Sequence, residues 1–69
     1  MEDQLQKIGE AAGLVWRALE GKGEGMTPTQ LKSKTALGAE LLHQALGWLA
    51  REDKIRFLGG GKSVKVALP

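Results

Sequence analysis

Hydrophobic residues recur every three or four positions over the first twenty residues of the chain. This spacing collects side chains on one side of an α-helix. Asp3 can cap the start of such a helix, and the glycine-rich stretch at 21–25 resists its continuation. The pattern therefore predicts a first helix over about residues 3–20. Its inward positions are Leu5, Ile8, Ala12, Val15, Trp16 and Leu19.

Two further helices are predicted in the middle of the chain. Thr27, Pro28 and Gln30 provide an N-cap, a proline at the first helical position and the partner of a capping box, which predicts a helix over about 28–35. After a turn at 36–38, helical periodicity returns over about 39–53. Its apolar arc contains Leu41, Leu42, Ala45, Leu46, Trp48 and Leu49. Its opposite arc contains Glu40, His43, Gln44, Gly47, Ala50 and Arg51.

After Asp53 the helical period gives way to alternation, which is typical of half-buried strands. Ile55 and Phe57 are expected on one face of a first strand, and Arg56 on the other. In a second strand, one face is expected to carry Val64, Val66 and Leu68, and the other Lys65 and Ala67. A glycine-rich loop joins the strands into a hairpin over 55–68, and Met26 is suited to a short edge strand.

The order of these elements predicts an α+β fold: three helices with a small antiparallel sheet of two or three strands, forming a single domain over residues 1–69. This succession resembles a winged helix-turn-helix domain, and the resemblance covers essentially the entire chain. The positions that carry the resemblance are Leu31, Leu37, Leu42, Leu46, Leu49 and Ile55. The run ALGWLAREDK at 45–54 is also similar to a small, mostly bacterial family of stand-alone winged-helix proteins without an assigned function.

Composition narrows the function classes. The 69 residues include no cysteine, so disulfides and thiolate metal sites are excluded and a reducing, cytoplasmic setting is expected. We recognise no signal peptide, membrane span, nucleophile pattern, metal cluster or cofactor motif. The sequence therefore predicts a protein that is not an enzyme, has no cofactor or small-molecule substrate, and does not enter a membrane.

Charge is distributed unevenly along the chain. Residues 1–31 contain three basic and five acidic residues, net −2, whereas residues 32–69 contain seven basic and three acidic residues, net +4. Nucleic-acid-binding proteins often concentrate basic residues in one part of the chain, and this chain shows the same asymmetry to a modest degree.

The run GGGKS at 59–63 imitates the end of a nucleotide-binding P-loop. In that motif another glycine precedes the last one by five positions, but Arg56 stands there, and an alternating strand follows where a helix is required. Nucleotide binding is thus excluded. Two interpretations remain open: a wing tip whose glycines let the backbone approach the sugar-phosphate, or a plain hairpin turn.

Double-stranded DNA is the partner that the winged-helix resemblance implies, with transcriptional regulation as the associated role. Basic residues of the second helix and the hairpin would contact phosphates, and polar residues of the third helix would face base edges. The candidate DNA-binding residues are Lys32, Lys34, His43, Gln44, Arg51, Arg56, Gly60, Lys62 and Lys65. Glu40 and Gly47 stand where many DNA-reading members carry polar or basic residues, so we expect weak, phosphate-dominated binding.

A protein-interaction or dimerisation module is the alternative, because a fold does not fix a function. Leu41 and Trp48 border the apolar arc of the third helix, and a small apolar stripe is expected on the far side of the first. Winged-helix proteins often dimerise through that helix. The candidate partner-interface residues are Ala11, Leu14, Ala18, Leu41 and Trp48.

Overall fold

The computed structural model describes residues 3–59 and 64–69 of the chain. It contains three helices, α1 (Gln4–Leu19), α2 (Pro28–Thr35) and α3 (Ala39–Arg51), followed by two strands, β1 (Arg56–Leu58) and β2 (Lys65–Ala67). This is the predicted α+β architecture. Gly60 and Lys62, two of the predicted DNA-binding residues, lie outside the described residues.

Local chemistry accounts for the helix boundaries. The Asp3 carboxylate accepts the Leu5 backbone N–H at 3.1 Å and caps α1. The predicted capping box of α2 is present, because the Thr27 hydroxyl accepts the Gln30 N–H at 3.1 Å and the Gln30 side chain accepts the Thr27 N–H at 2.9 Å. Gly38 precedes α3 without a side-chain cap.

The third helix ends at Arg51, two residues earlier than the sequence predicts. Asp53 adopts a left-handed backbone with φ of 57°, and its N–H donates to the Ala50 carbonyl. The Lys54 N–H reaches back to the Leu49 carbonyl at 2.9 Å. These two bonds form a Schellman motif, which satisfies the last carbonyls of the helix and turns the chain toward β1.

The sheet is a short antiparallel hairpin with a third strand reduced to one bridge. Arg56, Phe57 and Leu58 pair with Ala67, Val66 and Lys65, respectively. Met26 adds to the far edge of β2, since its N–H donates to the Val66 carbonyl at 2.8 Å and its carbonyl accepts the Val66 N–H at 2.7 Å. The expected edge strand at Met26 is therefore present.

The core lies between the three helices and β2. Its largest fully buried side chains are Val15, Leu19, Leu31, Leu42 and Val66. Helix α1 packs mainly against α3, and the whole core contains hydrophobic side chains from every helix. The part of the chain that the structure describes has no buried polar or charged residue.

The inward face of α1 differs from the prediction. Ala11 and Ala18 are buried in the core, so the expected apolar stripe on the far side of this helix does not exist. Leu5 and Trp16, expected inside, are exposed. The physical reason is that the buried arc is centred on Val15, and at about 100° per residue Ala11 and Ala18 flank it within one turn, whereas Leu5 and Trp16 lie at its edge.

The strands also depart from strict alternation. Phe57 is 52% exposed although its neighbour across the hairpin, Val66, is fully buried. Strand β1 forms the outer edge of the sheet, so Phe57 extends past the core. Ala67, expected to face solvent, is buried because the loop containing Gly25 covers it.

Candidate functional site

The solvent-facing side of α3 forms a continuous exposed stripe. We define the exposed stripe of α3 as Glu40, His43, Gly47 and Arg51, all of which are exposed. Their spacing of three or four residues places them along one face over about 17 Å of helix. A Cβ added at Gly47 would meet no atom within 4 Å, so the middle of the stripe is open.

Gln44 does not belong to this stripe. Its side chain is half-buried, and its amide oxygen accepts a hydrogen bond from the Gln4 amide of α1 at 3.2 Å. Gln44 is therefore less exposed than the sequence-based expectation implies, and its role in DNA binding stays a prediction. Its position in the helix turns it toward α1, which the apolar periodicity of α3 alone does not reveal.

Basic side chains flank the exposed stripe along the sequence. Lys32 and Lys34 are exposed in the last turn of α2, which precedes α3. Arg56 is exposed on β1, and Lys65 of β2 is half-buried in a shallow depression beside Lys22, Glu24 and Gln30. Lys65 therefore has less freedom to reach a ligand than an outward lysine would have.

A second surface feature is an open groove between α1 and α3, with a volume of about 780 Å³. Both tryptophans of the chain, Trp16 and Trp48, line this groove. Gly9, Ala12 and Gly13 of α1 line it as well. Sequence reasoning missed the groove, because the tryptophans were assigned separately to two apolar arcs.

The groove carries charges of both signs. Arg17 and Glu20 reach it from the last turns of α1. From the end of α3 and the turn that follows it come Glu52, Asp53 and Lys54, and the Lys54 ammonium lies 3.8 Å from the Glu52 carboxylate. Such a solvated pair contributes little to stability. In total the lining of the groove includes three carboxylates and two cations.

The predicted partner-interface residues divide between different places. Trp48 lines the groove, and Leu41 lies on the same flank of α3, seven residues earlier and half-buried. Leu14 is 42% exposed on the opposite flank of α1 from Trp16, about 160° around the helix axis. Ala11 and Ala18 are buried and are unavailable to a partner.

Two further features were sought in the described residues: a metal-binding cluster and a membrane-spanning helix. No group of three or more histidine, cysteine, aspartate or glutamate side chains among residues 3–59 and 64–69 could hold a metal ion. Over the same residues, no helix has both the length and the apolarity needed to cross a membrane.

Comparison with known proteins identifies the family. A family described as a winged helix-turn-helix domain, DUF2582, matches residues 1–68. An uncharacterized protein of the archaeon Methanocaldococcus jannaschii is 38% identical over 69 residues, which cover 99% of each chain. The expectation of a bacterial family is therefore too narrow. With three helices, an antiparallel hairpin and this match, the chain belongs to the winged helix-turn-helix family DUF2582.

Proposed function

We propose that this chain binds double-stranded DNA through its winged-helix domain, with most of the affinity coming from phosphate contacts. The observation that carries the proposal is the exposed stripe of α3, which is open along the whole helix. In helix-turn-helix proteins the corresponding second helix of the motif lies in the major groove. The missing side chain at Gly47 favours a close approach of the helix backbone to the duplex.

Few side chains on this stripe are suited to reading bases. Arg51 can form two hydrogen bonds with guanine, and His43 can contact a base edge from the middle of the helix. Glu40 repels phosphates, although it can accept a hydrogen bond from cytosine N4. Gln44 would have to release the exposed hydrogen bond that its amide oxygen accepts from Gln4 before it could pair with adenine. We therefore expect weak discrimination between sequences.

Phosphate contacts would come from the basic residues around the stripe. Lys32 and Lys34 are exposed on α2, and Arg56 is exposed on β1. Three further candidates come from the sequence. Lys65 is on β2, and Gly60 and Lys62 belong to the hairpin loop that the sequence predicts. Such contacts fix the position of a protein on the duplex without carrying sequence information.

The first test is an amide-resolved NMR titration with mixed-sequence duplex DNA, at low and then at physiological salt. We expect shifts in residues 32–43 and around Arg56 and Lys65, and we expect these shifts to weaken with salt. No shift at low salt would overturn the proposal.

A pair of charge-neutralising variants makes the test specific. Lys34→Ala is expected to weaken binding by roughly fivefold to tenfold at physiological salt, as the loss of one phosphate contact predicts. Lys54→Ala removes the same charge from the groove between α1 and α3, outside the proposed surface, and should leave the affinity nearly unchanged. Equal losses in both variants would indicate a general charge effect and not a defined interface.

A further inference from the structure

The groove between α1 and α3 is separate from the proposed DNA-binding stripe and has the size of a small-molecule site. Trp48 lies about 95° around the axis of α3 from the centre of that stripe. Twelve described residues line the groove, whereas each side of a standard protein interface has roughly 20–30. Its volume of about 780 Å³ lies within the range of ligand pockets, about 300–1,000 Å³. The groove therefore fits a small ligand better than a protein surface.

Small residues of α1 leave the apolar part of the groove open. A Cβ added at Gly9 would meet no atom within 4 Å, and one at Gly13 would meet only the Arg17 guanidinium at 3.8 Å. Trp16 is 38% exposed and Trp48 is half-buried, so both indoles keep accessible surface. The face of an indole ring carries a negative potential that attracts cations. This part of the groove thus suits an apolar ligand with a positive charge.

The remainder of the lining is charged, with an excess of carboxylates. Both helices end at the groove, because the residue that follows each of them, Glu20 after α1 and Glu52 after α3, lines it. A helix C-terminus carries a partial negative charge, so the two helix ends add to the carboxylates. Asp53 is the third carboxylate, and Arg17 and Lys54 are the cations of the lining. The groove is therefore net negative, although the whole chain has a net charge of +2.

We propose that the groove binds a small organic cation, a molecule with an apolar body and a positively charged group. The body would lie against the indoles of Trp16 and Trp48. The positive charge would face Glu20 and Asp53, because the Glu52 carboxylate already has the Lys54 ammonium at 3.8 Å. An organic anion would meet the same apolar surface but an unfavourable potential. The sign of the ligand charge is therefore the property that the groove discriminates.

Two probes with the same shape and opposite charge test this discrimination: the tetraphenylphosphonium cation and the tetraphenylborate anion. The chain has two tryptophans, so two indole Nε1–H resonances report binding at the groove in an NMR titration at fixed ionic strength. An anion bound to the basic residues elsewhere would leave these two resonances in place. We expect the cation to shift both resonances with a dissociation constant of about 1 mM or below. It should bind at least about fivefold more tightly than the anion.

Two charge-neutralising variants should change the affinity for the cation in opposite directions. Arg17 and Glu20 are both exposed at the end of α1 and both line the groove. Arg17→Gln should strengthen cation binding by about twofold to fivefold, and Glu20→Gln should weaken it by a similar factor. Both effects should reverse for the anion. Glu40→Gln is the matched control, because it removes a carboxylate from the exposed stripe of α3 and should leave both affinities unchanged.

A third variant tests whether the ligand lies over the small residues of α1. Gly13→Gln places a side chain in the open part of the groove, and we expect it to weaken cation binding by about tenfold. Glutamine favours helix over glycine, so this loss should come without a fall in the thermal midpoint. Gly47→Gln is the control, because it makes the same substitution on the exposed stripe, where an added Cβ also meets no atom within 4 Å.

Three outcomes would overturn this inference. In the first, the cation shifts neither indole resonance at concentrations up to about 1 mM. In the second, cation and anion bind equally well, which would make the groove an apolar patch without charge selectivity. In the third, Arg17→Gln and Glu20→Gln change the cation affinity in the same direction or not at all. None of these outcomes bears on DNA binding, which is tested with a duplex on a different face.

Discussion

At the scale of single residues, Gly25 has the least room for change among the glycines whose surroundings the structure describes. Its φ is 83°, a left-handed conformation that side chains rarely adopt. A Cβ there would stand 2.7 Å from the Val66 carbonyl oxygen and 3.3 Å from the Ala67 Cβ. This close approach brings Met26 into hydrogen-bonding position beside β2.

Gly25→Ala is therefore expected to destabilise the fold by roughly 2–5 kcal/mol, since backbone strain and steric crowding act together. Chemical denaturation monitored by circular dichroism measures the change. Gly23→Ala is the control, because a Cβ at Gly23 meets no atom within 4 Å, and its effect should stay below about 1 kcal/mol. A neutral Gly25→Ala would mean that the loop and β2 do not pack as closely as described.

The residue scale is also where sequence reasoning was least reliable. Helical periodicity identified an apolar side of α1, but it could not fix the centre of the buried arc to within one residue. An error of that size exchanged the environments of Ala11 and Trp16. Gln44 illustrates a second limit, because its partner Gln4 is forty positions away and no local pattern links the two.

At the scale of elements, boundaries that have a clear residue signal in the sequence could be predicted, and those without one could not. Helix α2 begins where Thr27, Pro28 and Gln30 predict, since all the atoms of the capping box lie within four residues. The end of α3 depends on Asp53 adopting a left-handed backbone, for which glycine is the usual signal. The strands have only three residues each, too few for alternation to define their faces.

Helix α2 should depend strongly on its cap. It has eight residues, and Leu31 is its only buried side chain. Isolated helices of this length are unstable in water. Thr27→Ala removes the hydroxyl that accepts the Gln30 N–H, and we expect a loss of about 1 kcal/mol in the free energy of unfolding.

Thr29→Ala is the matched control for this prediction. Thr29 is exposed in the same turn of α2 and takes no part in the capping box, so its replacement should change stability by less than about 0.5 kcal/mol. Hydrogen exchange adds a local measurement, because the amides of α2 should lose protection in Thr27→Ala before those of α1 and α3. Equal stability of the two variants would contradict a stabilising role for the cap.

At the scale of the whole molecule, charge and exposed apolar surface are segregated. The basic half of the sequence supplies the residues of the proposed DNA surface, whereas three carboxylates gather at the groove between α1 and α3. The sequence predicted the first of these features, because charge can be counted along the chain. It could not predict the second, since Trp16 and Trp48 are thirty-two positions apart and only packing brings them to one groove.

This segregation leads to a quantitative expectation for DNA binding. Five cations are proposed to contact phosphates: Lys32, Lys34, Arg56, Lys62 and Lys65. If each cation releases one condensed counterion, the logarithm of the DNA-binding constant should fall with the logarithm of the salt concentration, with a slope no steeper than about −5. This slope corresponds to an affinity loss of up to about 10³-fold between about 50 and about 200 mM salt. Fluorescence anisotropy with a labelled duplex measures this slope.

Two unrelated duplexes of equal length should give the same slope and similar affinities, because phosphates carry no sequence information. Lys32→Ala should reduce the slope by about 0.9 for both duplexes, as expected when one contact is lost. A slope near zero would contradict a phosphate-dominated interface. A large difference in affinity between the duplexes would contradict the expected weak discrimination between sequences. It would mean that Arg51 and His43 read bases although the stripe also contains a glutamate and a glycine.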